Sequence, residues 1–144
     1  MKTETMVGNV VNLGGFAWPR IAGQAARLKP ERLYLAGKMR GKPQYNFPAF
    51  EKAATMLRSA GYLVVSPAEM DLALGFDPDN DRVLTPAEYE EFLCRDFEML
   101  KECDGIALID EWETSSGTQR EIREAIYNGI RCAPVQWWIE RSGQ

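Results

Sequence analysis

The chain has 144 residues, 45% hydrophobic and 26% charged, with a formal charge of −4. That describes one soluble globular domain of ordinary size, without the broad basic surface that a nucleic-acid polymer needs. Three cysteines with no close pair and a complete lack of histidine argue against a disulfide framework or a zinc site, and leave acid–base work to carboxylates, lysine or tyrosine.

The first fifteen residues, MKTETMVGNVVNLGG, are too polar and interrupted for a signal peptide, and no run approaches transmembrane length. A cytoplasmic protein with no membrane partner is expected. Val7–Leu13 reads as a strand broken by Gly14-Gly15, and Ile21–Leu28 as a short helix ended by Pro30. Residues 1–30 are read as an N-terminal extension, an edge element or an oligomer contact.

Residues 32–36, RLYLA, form a strand that runs into Gly37-Lys38-Met39-Arg40-Gly41. Two glycines flanking two cations let backbone N–H groups approach an anion closely. The spacing matches neither a Walker A loop nor G-x-G-x-x-G, so a plain basic turn explains it equally well. Phe47–Ala60 has a helical stripe of Phe50, Ala53, Ala54 and Leu57, ended by Gly61. Tyr62–Val65 is the next strand, closed by Ser66-Pro67. Strand, helix, strand implies a parallel sheet.

Asp77, Asp79, Asp81 and Glu88 fall at positions 1, 3, 5 and 12 of a calcium loop, but Arg82 stands where that loop needs glycine, and AEMDLALGF is a poor entering helix. A polar loop fits better, leading to Thr85 as N-cap, Pro86 at N1 and Glu88 closing a capping box. The helix Pro86–Glu102 has Tyr89, Phe92, Leu93, Leu100 and Cys103 as its apolar stripe, and Asp96 lies inside it. A buried Asp needs a cation or a raised pKa. Arg95 leaves the helix about 100° away from it. Asp96 either caps a neighbouring loop or trades a proton.

Gly105–Ile109 reads as a buried strand, followed by a polar loop to Thr114, Ser115, Ser116 and Gly117. From Thr118 a helix begins with Ile122, Ala125, Ile126 and Gly129 on one side. Glu121 shares the inward side with Thr118, Ile122 and Ala125. Ala133–Ile139 reads as the last strand, with Trp137 and Trp138 on opposite faces, one in the core and the other at a pocket or subunit interface. The expected fold is α/β, a single-domain open parallel sheet of the flavodoxin or Rossmann type, with four to five strands and helices on both faces. Ligands of such sheets sit beyond the carboxyl ends of the strands.

Two inward carboxylates without histidine or a metal cluster fit retaining glycoside chemistry, one attacking an anomeric carbon and the other handling the leaving group's proton. The hydroxyls of Ser115, Ser116 and Thr118, with free N–H groups at the helix start, form an anion site suited to a phosphorylated sugar. No metal or cofactor is called for.

Tyr34-Leu35-Ala36-Gly37 with Arg40-Gly41, then Arg95-Asp96, then Ser115-x-Gly117-x-x-x-Glu121 resembles the nucleoside 2-deoxyribosyltransferase superfamily, which includes the nucleoside 5′-monophosphate N-glycosidases. The likeness is greatest to small phage and bacterial members with a YLAG-x-MRG start, and it covers about residues 32–138. The resemblance implies that Glu121 is the nucleophile forming a covalent ribosyl–enzyme intermediate and that Asp96 assists proton transfer to the base. It implies that Tyr34, Gly37, Arg40, Gly41, Ser115 and Gly117 border the substrate, a small nucleoside or nucleotide. It also implies a homo-oligomer, a dimer or larger. Transferases acting on free nucleosides generally carry Asp where this chain has Ser115. Serine at a helix start favours a 5′-phosphate there. Gln119 and Arg120 depart from the small or aromatic residues common in relatives. Hydrolysis and base transfer both remain open, and a non-catalytic nucleotide-binding or sensor module is the alternative.

Overall fold

The structure is a computed structural model that describes residues 11–13, 16–18, 30–80 and 84–143. Strands β1 (Val11–Leu13) and β2 (Phe16–Trp18) pair antiparallel, Val11 opposite Trp18 and Leu13 opposite Phe16. They fall in the first of two units into which the chain divides, Met1–Glu31 and Arg32–Gln144. The strand expected from Val7 is described only from Val11, and the helix expected over Ile21–Leu28 lies outside the described residues.

The second unit is built on β3 (Arg32–Ala36), whose last four residues are fully buried. A strand buried on both faces belongs at the centre of a parallel sheet. β3 pairs in parallel with β4 (Leu63–Val65) on one side and with β5 (Gly105–Leu108) on the other. β5 in turn pairs in parallel with β6 (Arg131–Pro134), giving the order β4-β3-β5-β6. The chain therefore first moves outward to β4 and then returns across β3 to β5. That reversal makes the crevice beyond the carboxyl ends of β3 and β5 the natural ligand position.

Helices cover both faces. α1 (Phe47–Ser59) buries Phe50, Ala53, Ala54 and Leu57 against Leu33, Leu35 and Ala107, and Gly61 turns the chain out of it at φ +101°. α3 (Pro86–Leu100) and α4 (Ser116–Tyr127) close the opposite face, where Leu100, Cys103 and Ala125 pack on Tyr34, Ala36, Ile106 and Leu108. α3 starts as its sequence directs: the Thr85 hydroxyl accepts from Glu88 N, and the Glu88 carboxylate accepts from Thr85 N.

Two expectations need correction. The run Ala133–Ile139 is not one strand. β6 ends at Pro134, which caps α5 (Val135–Ser142). Val135, Trp138, Ile139 and Ser142 recur at the spacing of a helix face, and proline has no N–H with which to extend a ladder. Trp138 is buried against α1 and the sheet, its indole N–H shared between the carbonyls of Ile106 (2.9 Å) and Ala133 (3.2 Å). Trp137 instead lies half-exposed beneath the guanidinium groups of Arg131 and Arg141. The second correction is in α4, where Ile126 is 66% exposed. It stands about 140° around the helix from Glu121.

The stretch AEMDLALGF, read from sequence as a poor entering helix, supplies most of α2 (Pro67–Ala73). Ser66 caps it by accepting from Glu69 N, with Pro67 at the first helical position. The S-x-x-E spacing after β4 was the signal for this start. α2 carries a buried aspartate, Asp71.

Candidate active site

One cavity of about 230 Å³ opens beyond β3 and β5, slightly below the roughly 300–1,000 Å³ usual for small-molecule sites. The loop after β3 brings Gly37, Lys38 and Arg40 to it, α2 brings Asp71, α3 brings Asp96, and the start of α4 brings Ser115, Gly117, Thr118 and Glu121. Six of the eight residues singled out in the sequence thus share one wall system: Gly37, Arg40, Asp96, Ser115, Gly117 and Glu121. Gly41 and Tyr34 do not line it. Gly41 is the turn residue of its loop, at φ +84°. Tyr34 lies wholly buried behind Glu121, and its hydroxyl donates to Glu121 Oε2 at 2.6 Å. It holds the carboxylate and does not face the cavity.

Glycine is needed at two of these positions because of close approach. A Cβ on Gly37 would stand 2.9 Å from Ile109 Cβ, and one on Gly117 would stand 2.7 Å from the Tyr89 hydroxyl. Tyr89 in turn carries Arg40, whose guanidinium carbon sits 4.1 Å from the ring centroid.

Burial dominates the electrostatics. It pushes the Glu121 carboxyl up to about 8, with the charge of Asp96 adding to the rise and the Tyr34 hydrogen bond and Arg95 opposing it. Burial likewise raises Asp96 to about 6, against the hydrogen bond and charge of Arg95. Burial thus favours the neutral form of both carboxyls, of Glu121 more than of Asp96. Arg95 does reach Asp96, contrary to the direction in which it leaves the helix. Its side chain curls back so that Nη2 lies 2.8 Å from Asp96 Oδ1 and 2.7 Å from Asp71 Oδ1. Asp71 is only 5% exposed, and burial raises its carboxyl while Arg95 lowers it.

The start of α4 forms one wall of the cavity. The Ser115 hydroxyl is committed to the cap, accepting from Thr118 N at 3.1 Å. The Thr118 hydroxyl, 1% exposed and in the cavity wall, has no hydrogen-bond partner. A buried hydroxyl without a partner is costly, and a ligand oxygen would satisfy it. The far wall is aromatic. Tyr45 and Phe76 meet edge to face at 5.1 Å, and Phe76 meets Phe92 at 6.2 Å. Tyr45 is held by a left-handed turn in which Gln44, Tyr45 and Asn46 all have φ between +52° and +62°, at about 1–2 kcal/mol of strain per residue. The Asn46 side chain ties that turn to Lys38 O, and Gln44 ties it to Asp79.

Sequence reasoning missed Asp71, because α2 was not read as a helix. It also missed this aromatic wall, whose members are far apart in the chain. Asp81 and Arg82 of the calcium-like loop lie outside the described residues, and Glu88 is occupied in its cap. Among the described residues, no group of three or more His, Cys, Asp or Glu side chains could hold a metal ion, and no helix is long and apolar enough to cross a membrane.

Residues 31–132 match the family described as a domain of unknown function, DUF4406. No curated protein matches the chain.

Proposed function

We propose that this chain, which belongs to the DUF4406 family, breaks the N-glycosidic bond of a (2′-deoxy)nucleoside or its 5′-monophosphate through a covalent ribosyl–Glu121 intermediate. The observation that carries this reading is the pair Glu121 and Asp96, both buried, both lining one cavity at the start of α4, with Tyr34 donating to Glu121 from behind. One charge and one proton are what such a displacement requires.

In the first half-reaction the proton that burial favours on Glu121 passes to Asp96, the Glu121 carboxylate so formed bonds to C1′, and the C1′–N bond breaks. Its electron pair goes to the base nitrogen, which takes the proton held on Asp96. In the second, water or another base attacks C1′, Glu121 leaves as a carboxylate, and Asp96 receives the acceptor's proton. Tyr34 orients the Glu121 carboxylate by its 2.6 Å hydrogen bond. A 5′-phosphate sits at the α4 N-terminus, where helix N–H groups and the Thr118 hydroxyl donate to its oxygens. Ser115, in place of an acidic residue, favours that monophosphate.

The test is chromatographic detection of free base from nucleosides and 5′-monophosphates, with and without an acceptor base. Release is expected from monophosphates, falling roughly a thousandfold or more in Glu121→Ala with the fold intact. Undiminished release by that variant would sink the reading. A binding or sensor module is the second reading, favoured by the burial that raises the Glu121 carboxyl and so opposes its attack as a carboxylate. It expects ligand binding with no turnover across the panel.

A further inference from the structure

Asp96 is faced by Arg95 from its own helix, by Asp71 from α2, by Glu121 from α4 and by Tyr34 from β3. Arg95 serves two carboxyls at once: Nη2 lies 2.8 Å from Asp96 Oδ1 and 2.7 Å from Asp71 Oδ1. Both aspartates are buried, 5% exposed at Asp71 and 8% at Asp96, and both line the cavity. One guanidinium balances one carboxylate and not two. With both aspartates ionised, the three groups carry a net negative charge where water solvates it poorly. Asp96 also feels the charge of Glu121, so its own ionisation is opposed from two sides. Asp71 therefore takes the guanidinium as its counter-ion, and Asp96 takes the proton.

We propose that Asp71 is a positioning residue: it shares Arg95 with Asp96, and so leaves Asp96 able to carry the proton from Glu121 to the leaving base. The inference rests on reading the cavity as an N-glycosidase site. Paired with Asp96 alone, Arg95 would hold that carboxylate ionised, too weak a base to accept from Glu121. Asp71 weakens that hold without touching the substrate. A carboxylate that merely tied α2 to α3 would stabilise the fold and leave the titration of Asp96 where it was.

Carbon-detected NMR of the side-chain carboxyls in the intact protein tests this without any turnover. As pH falls, Asp96 is expected to take up its proton before Asp71 does. The opposite order would overturn the proposal on the unaltered chain, even if no variant folds. The Asp96 midpoint, about 6 in the unaltered protein, is expected to fall by about one unit or more in Asp71→Asn. The sign follows from the lost negative neighbour and from a guanidinium now left to Asp96 alone. Asp71→Glu, which restores the charge, should bring the midpoint back up. An unmoved or raised midpoint in Asp71→Asn would overturn the proposal. In base release, kcat of Asp71→Asn is expected to fall about threefold to tenfold with KM little changed, and an unchanged kcat would overturn it too. The expected titrations without base release from any nucleotide would leave the hold of Asp71 on Asp96 standing and remove the glycosidase reading. Base release with an unmoved Asp96 midpoint would do the reverse.

Discussion

Glu121 is a carboxyl whose folded environment favours its neutral form, and that has a consequence for stability. Its pKa stands at about 8 in the fold against roughly 4.3 in an unfolded chain. The native state therefore binds more protons than the unfolded state between those values, and stability falls as pH rises through the window. Asp96, raised to about 6, adds to the slope over its lower half. Thermal melts are expected to give a higher midpoint at pH 5.5 than at pH 8.5, with a loss on the order of a few kcal/mol across the window. Glu121→Gln should remove most of the difference and be the more stable protein at pH 8.5. A flat or rising profile in the unaltered chain would contradict the burial argument. The inward position of Glu121 and Asp96 was legible from helical spacing alone. The rise of their carboxyls was not, because it is set first by burial in the folded chain and then, at Asp96, by Arg95 curling back and by Asp71, which lies 25 residues away on another helix.

At the scale of an element, the start of α4 combines a cap with a binding surface. Ser115 holds the first turn through Thr118 N, and aspartate caps a helix about as well as serine. Ser115→Asp should thus leave the melting temperature nearly unchanged while placing a negative charge where a phosphate would sit. On the glycosidase reading, kcat/KM for 5′-monophosphates falls roughly tenfold or more, whereas that for free nucleosides does not. Equal loss for both substrate classes would mean that no phosphate is bound at this helix. The start of α4 was readable because hydroxyls, glycine and an apolar period occur together. The segment 133–142 was misread because a short strand passes directly into a helix at Pro134, and an apolar run of seven residues does not reveal where one period gives way to the other.

For the unit Arg32–Gln144, the parallel sheet followed from the alternation of strands and helices, while the way its last helix locks to the sheet did not. The Trp138 indole fills the space left by Gly105, where a Cβ would lie 2.5 Å from two ring carbons. Gly105→Ala should cost about 1–3 kcal/mol by overpacking and lower the melting midpoint by roughly 3–10 °C. An unshifted midpoint would mean that the ring has room to move. Sequence offers a glycine and a tryptophan 33 positions apart, with nothing to say that they meet. The same holds for the cavity, whose walls come from residues near 37–40, 71, 92–96 and 114–121. No contiguous half of the chain holds all four. Two fragments divided in the loop between α2 and α3 would each be silent toward a ligand and regain binding only on reassembly. Because only the assembled state binds, a ligand at a hundred times its dissociation constant would strengthen the association of the halves by about 2.7 kcal/mol.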